Sequence, residues 1–347
     1  MTMGILYPEP LVQGRVIGVT ATSSGVEAPS HIQRLELIEA QLRAEGYEVI
    51  EGKCLRGDHK HVSGSAAERA ADFTVLWNDP QVAVVFPPWG GELLIPILTH
   101  LDFEALARHP KWVMGYSDTS TLLFALTVTA GIATAHGYGL LDLVRDQECG
   151  AWDTAFGVLG TGGGFEFTQT SFERHQVTYI PYEERVDAKF NLTEPSAWKR
   201  LGCAEPCALS GRLIGGCLDT VVHLVGTPYG DLPAFIERHV ADGVILFLEN
   251  CELTPCQVAR SLWQMRLAGW FEGLSGMMFG RSAARDVNDP ESLSYVEAVA
   301  SVVGDLSIPV LYDADFGHRP PQMILVNGAV ASVEWRDGKA VVTQRFI

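Results

Sequence analysis

The stretch Lys111-Trp112-Val113-Met114-Gly115-Tyr116-Ser117-Asp118-Thr119 runs straight into Ser120-Thr121-Leu122-Leu123-Phe124-Ala125-Leu126. The apolar first part reads as a buried strand that ends in Gly115. In the second part, Leu122, Leu123 and Leu126 fall at helical spacing. Ser117 therefore sits at a sharp turn from strand to helix. Such a turn exposes the hydroxyl, and the first N–H groups of the helix lack intrahelical acceptors, so they can face a developing oxyanion. The order Gly-Tyr-Ser-Asp-Thr differs from the usual Gly-x-Ser-x-Gly hydrolase elbow. Two roles are open to Ser117 on this segment alone, helix N-cap and nucleophile.

Around this segment the pattern alternates. Val16 to Thr20 reads as a strand, and Ile32 to Ala44 as an amphipathic helix with Leu35, Ile38 and Leu42 on one face. Tyr47 to Ile50 is a strand and Ala66 to Trp77 a helix. Val82 to Phe86 and Trp112 to Gly115 are buried strands, each followed by a helical pattern. This order predicts an α/β fold with a parallel sheet covered on both faces. From about Gly150 the signal changes. Gly160-Thr161-Gly162-Gly163-Gly164 reads as flexible, and the polar segment up to Lys199 as an irregular linker with a lid-like insertion. From Ala208 onward strands and helices resume, with helices at Leu218 to Val225, Pro255 to Ala268 and Leu293 to Val303. Short strands close the chain, and Asp337-Gly338 marks a hairpin turn. The predicted division is an N-terminal domain over 1–165, a linker or lid over 166–207 and a C-terminal domain over 208–347.

Two later segments supply partners for a serine. Val244-Ile245-Leu246-Phe247-Leu248-Glu249-Asn250 is an apolar run ending in a carboxylate. Pro309 to Pro321 contains Asp315-Phe316-Gly317-His318 after a second apolar run. Ligand chemistry collects at the carboxyl ends of parallel strands. Taken singly, Glu249 reads as a cap or solvated strand end, and His318 as a turn histidine. Together with Ser117 they supply nucleophile, orienting acid and base, because an imidazole titrating near neutrality can take and return the serine proton. Glu252, three residues past Glu249, is the rival acid, predicted to lie in solvent or to cap the helix at Pro255.

These motifs, with Arg69 to Phe73, Asp79 to Val85, Gly90-Gly91 and Gly215-Gly216-Cys217-Leu218-Asp219, resemble the LD-carboxypeptidase family of serine peptidases. The Asp-Phe-Gly-His form of the last motif, and the chain length, resemble its microcin C immunity (MccF-like) branch more closely. The resemblance runs from about Val16 to Gly328. It implies a Rossmann-like, glutaminase-like N-terminal domain and a mixed α/β C-terminal domain, with the site at their interface. It also implies a Ser117-Glu249-His318 triad, no metal and no cofactor, amide cleavage in a small unusual peptide or peptidyl nucleotide, and a homodimer. The oxyanion donors expected are the N–H of Asp118 and one from Gly90-Gly91, with Gly91 preferred. Trp198 is a candidate platform for a flat group such as adenine, or alternatively packs the linker onto a domain. Ala135-His136-Gly137-Tyr138 departs from the family's Gly-Pro, which predicts an altered wall of the site.

Composition bounds the remaining classes. At 347 residues and 47% hydrophobic content the chain can fill two cores. No apolar stretch reaches the roughly 18 residues of a membrane span, and Met1 to Pro8 lacks a signal-peptide pattern, so a cytoplasmic location is expected. A net charge of −17 argues against nucleic-acid backbones and anionic membranes as partners. An anionic substrate then needs local cations, for which Lys199, Arg200, Arg281, Arg285 and above all Arg319 are the candidates. The seven cysteines are scattered, and neither Cys203/Cys207 nor Cys251/Cys256 has zinc-knuckle spacing. His59-Lys60-His61 reads as a solvated turn. Two alternatives stand beside the nucleotide peptidase: an LD-carboxypeptidase releasing the terminal D-amino acid from cell-wall tetrapeptides, which the family resemblance also implies, and a non-catalytic small-ligand binding protein on this fold. A cysteine glutaminase is excluded by the serine at the elbow.

Overall fold

The computed structural model describes residues 4–146, 149–284, 286 and 289–347. The first half alternates strand and helix: β1 (Val16–Val19), α1 (Pro29–Ala44), β2 (Glu48–Glu51), α2 (Ala66–Asn78), β3 (Val82–Phe86), α3 (Phe103–Ala107), β4 (Trp112–Gly115), α4 (Thr119–Ala130), β5 (Thr134–His136) and α5 (Ala151–Leu159). Four short strands follow, β6 (Glu166–Thr170), β7 (Arg174–Gln176), β8 (Leu192–Pro195) and β9 (Lys199–Arg200). The rest is β10 (Cys207–Cys217), α6 (Leu218–Val221), α7 (Leu232–Arg238), β11 (Val244–Glu249), α8 (Pro255–Leu267), β12 (Gly276–Gly280), α9 (Tyr295–Val303), β13 (Val310–Ala314), β14 (Leu325–Asn327), β15 (Val330–Arg336) and β16 (Lys339–Arg345).

Local chemistry sets the ends of these elements. Ser65 and Glu68 form a reciprocal capping box at the start of α2, and Thr254 and Gln257 do the same for α8, which opens on Pro255. The β15–β16 hairpin turns through Asp337 and Gly338, both at positive φ, as a two-residue turn of matching twist requires.

Two sheets result. The first has the order β14-β5-β4-β3-β1-β2, with β1 to β5 parallel and β14 antiparallel at the edge. The second has the order β6-β16-β15-β10-β11-β12-β13-β9, parallel from β10 to β13 and antiparallel elsewhere. Both put the carboxyl ends of their parallel strands at the residues singled out by sequence, Ser117 after β4 and Glu249 at the end of β11.

The sheets do not respect the predicted limits at 165 and 207. Leu325–Asn327, from the C-terminal part, completes the first sheet on β5. The segment expected to be irregular supplies β6 and β9, the two edges of the second sheet, and pairs β7 with β8 in a small hairpin. Strand pairing satisfies the backbone groups of this polar segment, which its side-chain pattern does not reveal. Helix α4 differs from a one-faced helix in being buried on nearly every side. It lies between β4 and β5 of one sheet and β10 of the other, and Leu122, Leu123, Phe124 and Leu126 are fully enclosed. Each such side chain contributes about 1.5–3 kcal/mol by leaving water. This helix carries Ser117 at its entry, so the two layers hold the turn from both sides.

Candidate active site

The backbone at Ser117 is strained in the way a nucleophile elbow requires. Its φ is +59°, a left-handed conformation that costs a non-glycine residue on the order of 1 kcal/mol or more. An ordinary N-cap serine has extended φ and ψ, so the cap reading is not met. The turn is held from beneath by Asp118, whose buried carboxylate accepts from Ser23 Oγ at 2.6 Å and from the Leu94 N–H at 2.8 Å. These bonds tie the Gly90-Gly91 loop to the elbow. Burial pushes the Asp118 carboxyl up, offset by those hydrogen bonds. Gly90 packs so close that a Cβ there would stand 2.7 Å from Ser117 Cβ, which only glycine permits. Gly91 lines both cavities that Ser117 lines. No protein acceptor takes the N–H of Asp118 or Gly91 among the described residues, so both are free to donate.

Glu249 and His318 meet in the same place. His318 Nδ1 stands 2.8 Å from Glu249 Oε2, the glutamate side chain being fully buried and the histidine 14% exposed. Burial works against both charges, but each partner reverses it: Glu249 holds the imidazole well above its ordinary range, and His318 holds the carboxyl below its own. Gly317 makes the approach possible. At φ +98° it lies where a Cβ would be 2.5 Å from Glu249 Oε2. His318 and Ser117 line one cavity of about 210 Å³ with Ser24, Trp89, Gly90, Gly91 and Tyr116. A neighbouring cavity of about 180 Å³ also reaches Ser117 and includes Asp219, Cys251 and Glu252. Glu252 is exposed and bonded through its N–H to Asp219, while Thr254 caps α8, so the rival acid lies in the cavity wall and makes no hydrogen bond to His318. A larger cavity of about 540 Å³ lies by Trp77, Val82 and Lys111, at the amino ends of β3 and β4 and away from Ser117.

The remaining expected site residues play other parts. Trp198 is 1% exposed and donates its indole N–H to Asp315 Oδ2 at 2.7 Å, so it is no platform in the cleft. An indole enclosed in the second core needs that acceptor, and Asp315, also paired with Arg281, anchors the histidine loop in return. Arg319 spends its guanidinium on the carbonyls of Val177, Ser282 and Ala283, lashing these segments to the loop instead of facing a substrate. Lys199 pairs with Asp313, and Arg200 bonds the Glu205 carbonyl. Arg285 lies outside the described residues. Among the described residues no lysine or arginine lines the cavities at Ser117; the carboxylates there are Glu92, Asp118, Asp219 and Glu252. The expected altered wall is instead a support. Tyr138 is buried, and its hydroxyl exchanges hydrogen bonds with the backbone of Gln322, whose side chain accepts from the Gly317 N–H. His59 and His61 are exposed in a tight turn.

Sequence reasoning missed three neighbours. Tyr116 sets its ring 4.8 Å from the His318 ring. Tyr179, half exposed, bonds the His318 carbonyl and flanks the cleft. Cys217 lies opposite Glu249 in the β10–β11 register. Tyr116, beside the serine, was the one readable signal; the other two depend on pairing between distant segments.

With this geometry in hand, the class follows from comparison. Residues 17–137 match the LD-carboxypeptidase N-terminal domain, and residues 210–333 match the LD-carboxypeptidase C-terminal domain. The chain belongs to the LD-carboxypeptidase family and is a peptidase of the serine type. A carboxypeptidase-designated protein of Vibrio cholerae is 26% identical, with 99% of each chain covered. The Escherichia coli microcin C7 self-immunity protein MccF is 23% identical over 99% of this chain and 97% of its own. The wild-type apo structure of MccF matches with a TM-score of 0.84, covering 99% of both chains. The muramoyltetrapeptide carboxypeptidase of Oxalobacter formigenes matches at 0.72 with 20% identity, over 95% of this chain and 98% of its own. No helix among the described residues is long and apolar enough to cross a membrane.

Proposed function

We propose that Ser117, Glu249 and His318 are nucleophile, orienting acid and base of a peptidase that cleaves the amide of an aminoacyl or peptidyl nucleotide. The observation that carries this is the strained Ser117 elbow sharing a cavity with a histidine held at 2.8 Å by a buried carboxylate. His318, protonated on Nδ1 toward Glu249, takes the Ser117 proton on Nε2 as Oγ attacks the amide carbon. The carbonyl oxygen becomes an oxyanion facing the N–H groups of Asp118 and Gly91. The imidazolium then gives its Nε2 proton to the amide nitrogen, the C–N bond breaks, and water releases the acyl group by the same sequence in reverse order of roles.

Two features favour the nucleotide substrate. An aminoacyl unit carries an ammonium next to its carbonyl, and Asp219 and Glu252 in the cavity wall complement it. The same carboxylates oppose the terminal carboxylate of a cell-wall tetrapeptide. Trp89 and Tyr116, in the cavity shared by Ser117 and His318, and Tyr179, in a further cavity lined by His318, offer aromatic surface for a base. MccF has been solved with aspartyl sulfamoyl adenosine, which makes such compounds the first to try. Incubation with panels of aminoacyl sulfamoyl-adenosines and L,D-tetrapeptides, read by mass spectrometry, tests the assignment. Cleavage of the first panel is expected. Cleavage of the second alone replaces the substrate with a murein peptide and leaves the mechanism standing.

A further inference from the structure

We propose that Cys217, Glu249 and His318 also form a site for a soft divalent cation such as Zn²⁺, and that its occupation switches the peptidase off. The inhibitory part rests on reading His318 as the base; the binding part does not. The β10–β11 register sets Cys217 directly opposite Glu249 at the carboxyl ends of two parallel strands. His318 joins them through its 2.8 Å contact with Glu249. One donor atom from each of the three residues lies within 4.8 Å of the other two. Zinc bonds of about 2.0–2.3 Å place tetrahedral ligand atoms roughly 3.3–3.8 Å apart, so rotamer-scale adjustments complete the coordination.

The donor set specifies the kind of ion. A thiolate, an imidazole and a carboxylate suit zinc or cobalt, whereas magnesium and calcium prefer oxygen alone. There is also an entry path, because Cys217 lines the cavity that reaches Ser117 from solvent. The fourth position faces that cavity, where solvent completes a three-ligand site. Cys217 is positioned rather than loose. Its N–H donates to Ser120 Oγ at 3.0 Å, and its Sγ stands 3.5 Å from Asp219 Oδ2. Burial keeps the free thiol protonated, so binding exchanges that proton for the cation.

Inhibition follows from which ring nitrogen is used. The nitrogen facing Glu249 is Nδ1. A cation on Nδ1 forces the remaining ring proton to Nε2, and an Nε2–H cannot accept the proton of Ser117. The protons balance for either form of the ring: the thiol proton passes to solvent, the Nδ1 proton moves to Nε2 when the ring starts neutral or passes to solvent when it starts as imidazolium, and the lone pairs of sulfur, nitrogen and oxygen are donated to the cation. No redox change occurs.

The test uses the full chain after removal of metal by chelator. Co²⁺ is titrated in, and the thiolate-to-cobalt charge-transfer band is followed in the near ultraviolet. A saturable band at one equivalent is expected for the parent and for Ser117→Ala, which keeps all three ligands. Cys217→Ser is expected to lose the band and weaken Zn²⁺ binding by at least about tenfold, since even residues behind a ligand cost that much. Should Cys217→Ser fail to fold, His318→Ala, at a partly exposed position, must lose the tetrahedral visible bands and weaken Zn²⁺ binding as well. Cys251→Ser is expected to retain the band. A parent without a band, or a band that survives Cys217→Ser and vanishes in Cys251→Ser, overturns the site. A cobalt band with hydrolysis undiminished by saturating Zn²⁺ overturns the switch. If no substrate is ever cleaved, the spectra still decide whether the site exists.

Discussion

Neutralising Glu249 without changing its shape isolates the charge that holds the base. In Glu249→Gln the carboxylate opposite His318 becomes an amide at the same 2.8 Å position, in a fully buried place. At an effective dielectric of about 20, a unit pair at that distance is worth roughly 6 kcal/mol. Loss of that attraction when the imidazolium forms corresponds to a fall in kcat of about 10⁴-fold, the order expected where an amide also stabilises the wrong tautomer. The same change has a signed effect on pH dependence. In the parent, burial favours the neutral ring but Glu249 overrides it, so His318 titrates well above the ordinary value of about 6.5. The active form is the neutral base, so kcat/KM falls as pH drops through that raised value. In the variant the Glu249 charge no longer opposes burial, leaving Cys251 as the remaining group that favours the charged ring, and the acid limb moves to lower pH. The assay is kcat/KM from acid to mildly alkaline pH for both proteins, with circular dichroism to show that the fold persists. A variant within tenfold of the parent, or an acid limb that stays where it was, would refute Glu249 as the partner, and Glu252→Gln is the control whose acid limb must coincide with the parent's.

Other expectations test the parts around that pair. A fluorophosphonate should label Ser117, and Ser117→Ala should abolish both labelling and hydrolysis; labelling that persists at another serine displaces the nucleophile. Gly90→Ala puts a methyl 2.7 Å from Ser117 Cβ, so activity should drop at least about 100-fold, the loss for one oxyanion donor, while the protein stays folded with a lowered melting temperature, as overpacking a buried site costs about 1–3 kcal/mol; unaltered turnover removes this loop from the site. Trp198→Phe deletes the donor to buried Asp315 and should cost about 1–3 kcal/mol in denaturant unfolding, with KM for a cleaved nucleotide unchanged; a raised KM at full stability restores Trp198 to the cleft. Chelator treatment should leave the hydrolytic rate undiminished, and a chelator-dependent loss of activity points to a metal-assisted reaction.

Much of the architecture was legible in the chain because the signals were local. Buried strands such as Val82–Phe86 and Trp112–Gly115 announce themselves as short apolar runs, and Ser117, Glu249 and His318 stand where those runs stop. The strained elbow could be inferred from a glycine-ended strand meeting a helical pattern within three residues. Other features belong to pairing across long separations, which no local window carries. Leu325–Asn327 joins the first sheet because the edge of β5 needs backbone partners. The polar segment after Glu166 becomes strand for the same reason at the edge of β16. Trp198 and Arg319 read as surface candidates beside the motifs, but folding turned one into the core against Asp315 and bound the other to three carbonyls. Cys217 carried no sign of a ligand role: it stood only within a family-like motif, its spacing from Glu249 and His318 matches no ligand pattern, and only strand register brings its sulfur to them. Sequence thus determined which chemistry is available and at which strand ends; the tertiary structure decided which groups face one another, because hydrogen-bond satisfaction and burial act between segments far apart in the chain.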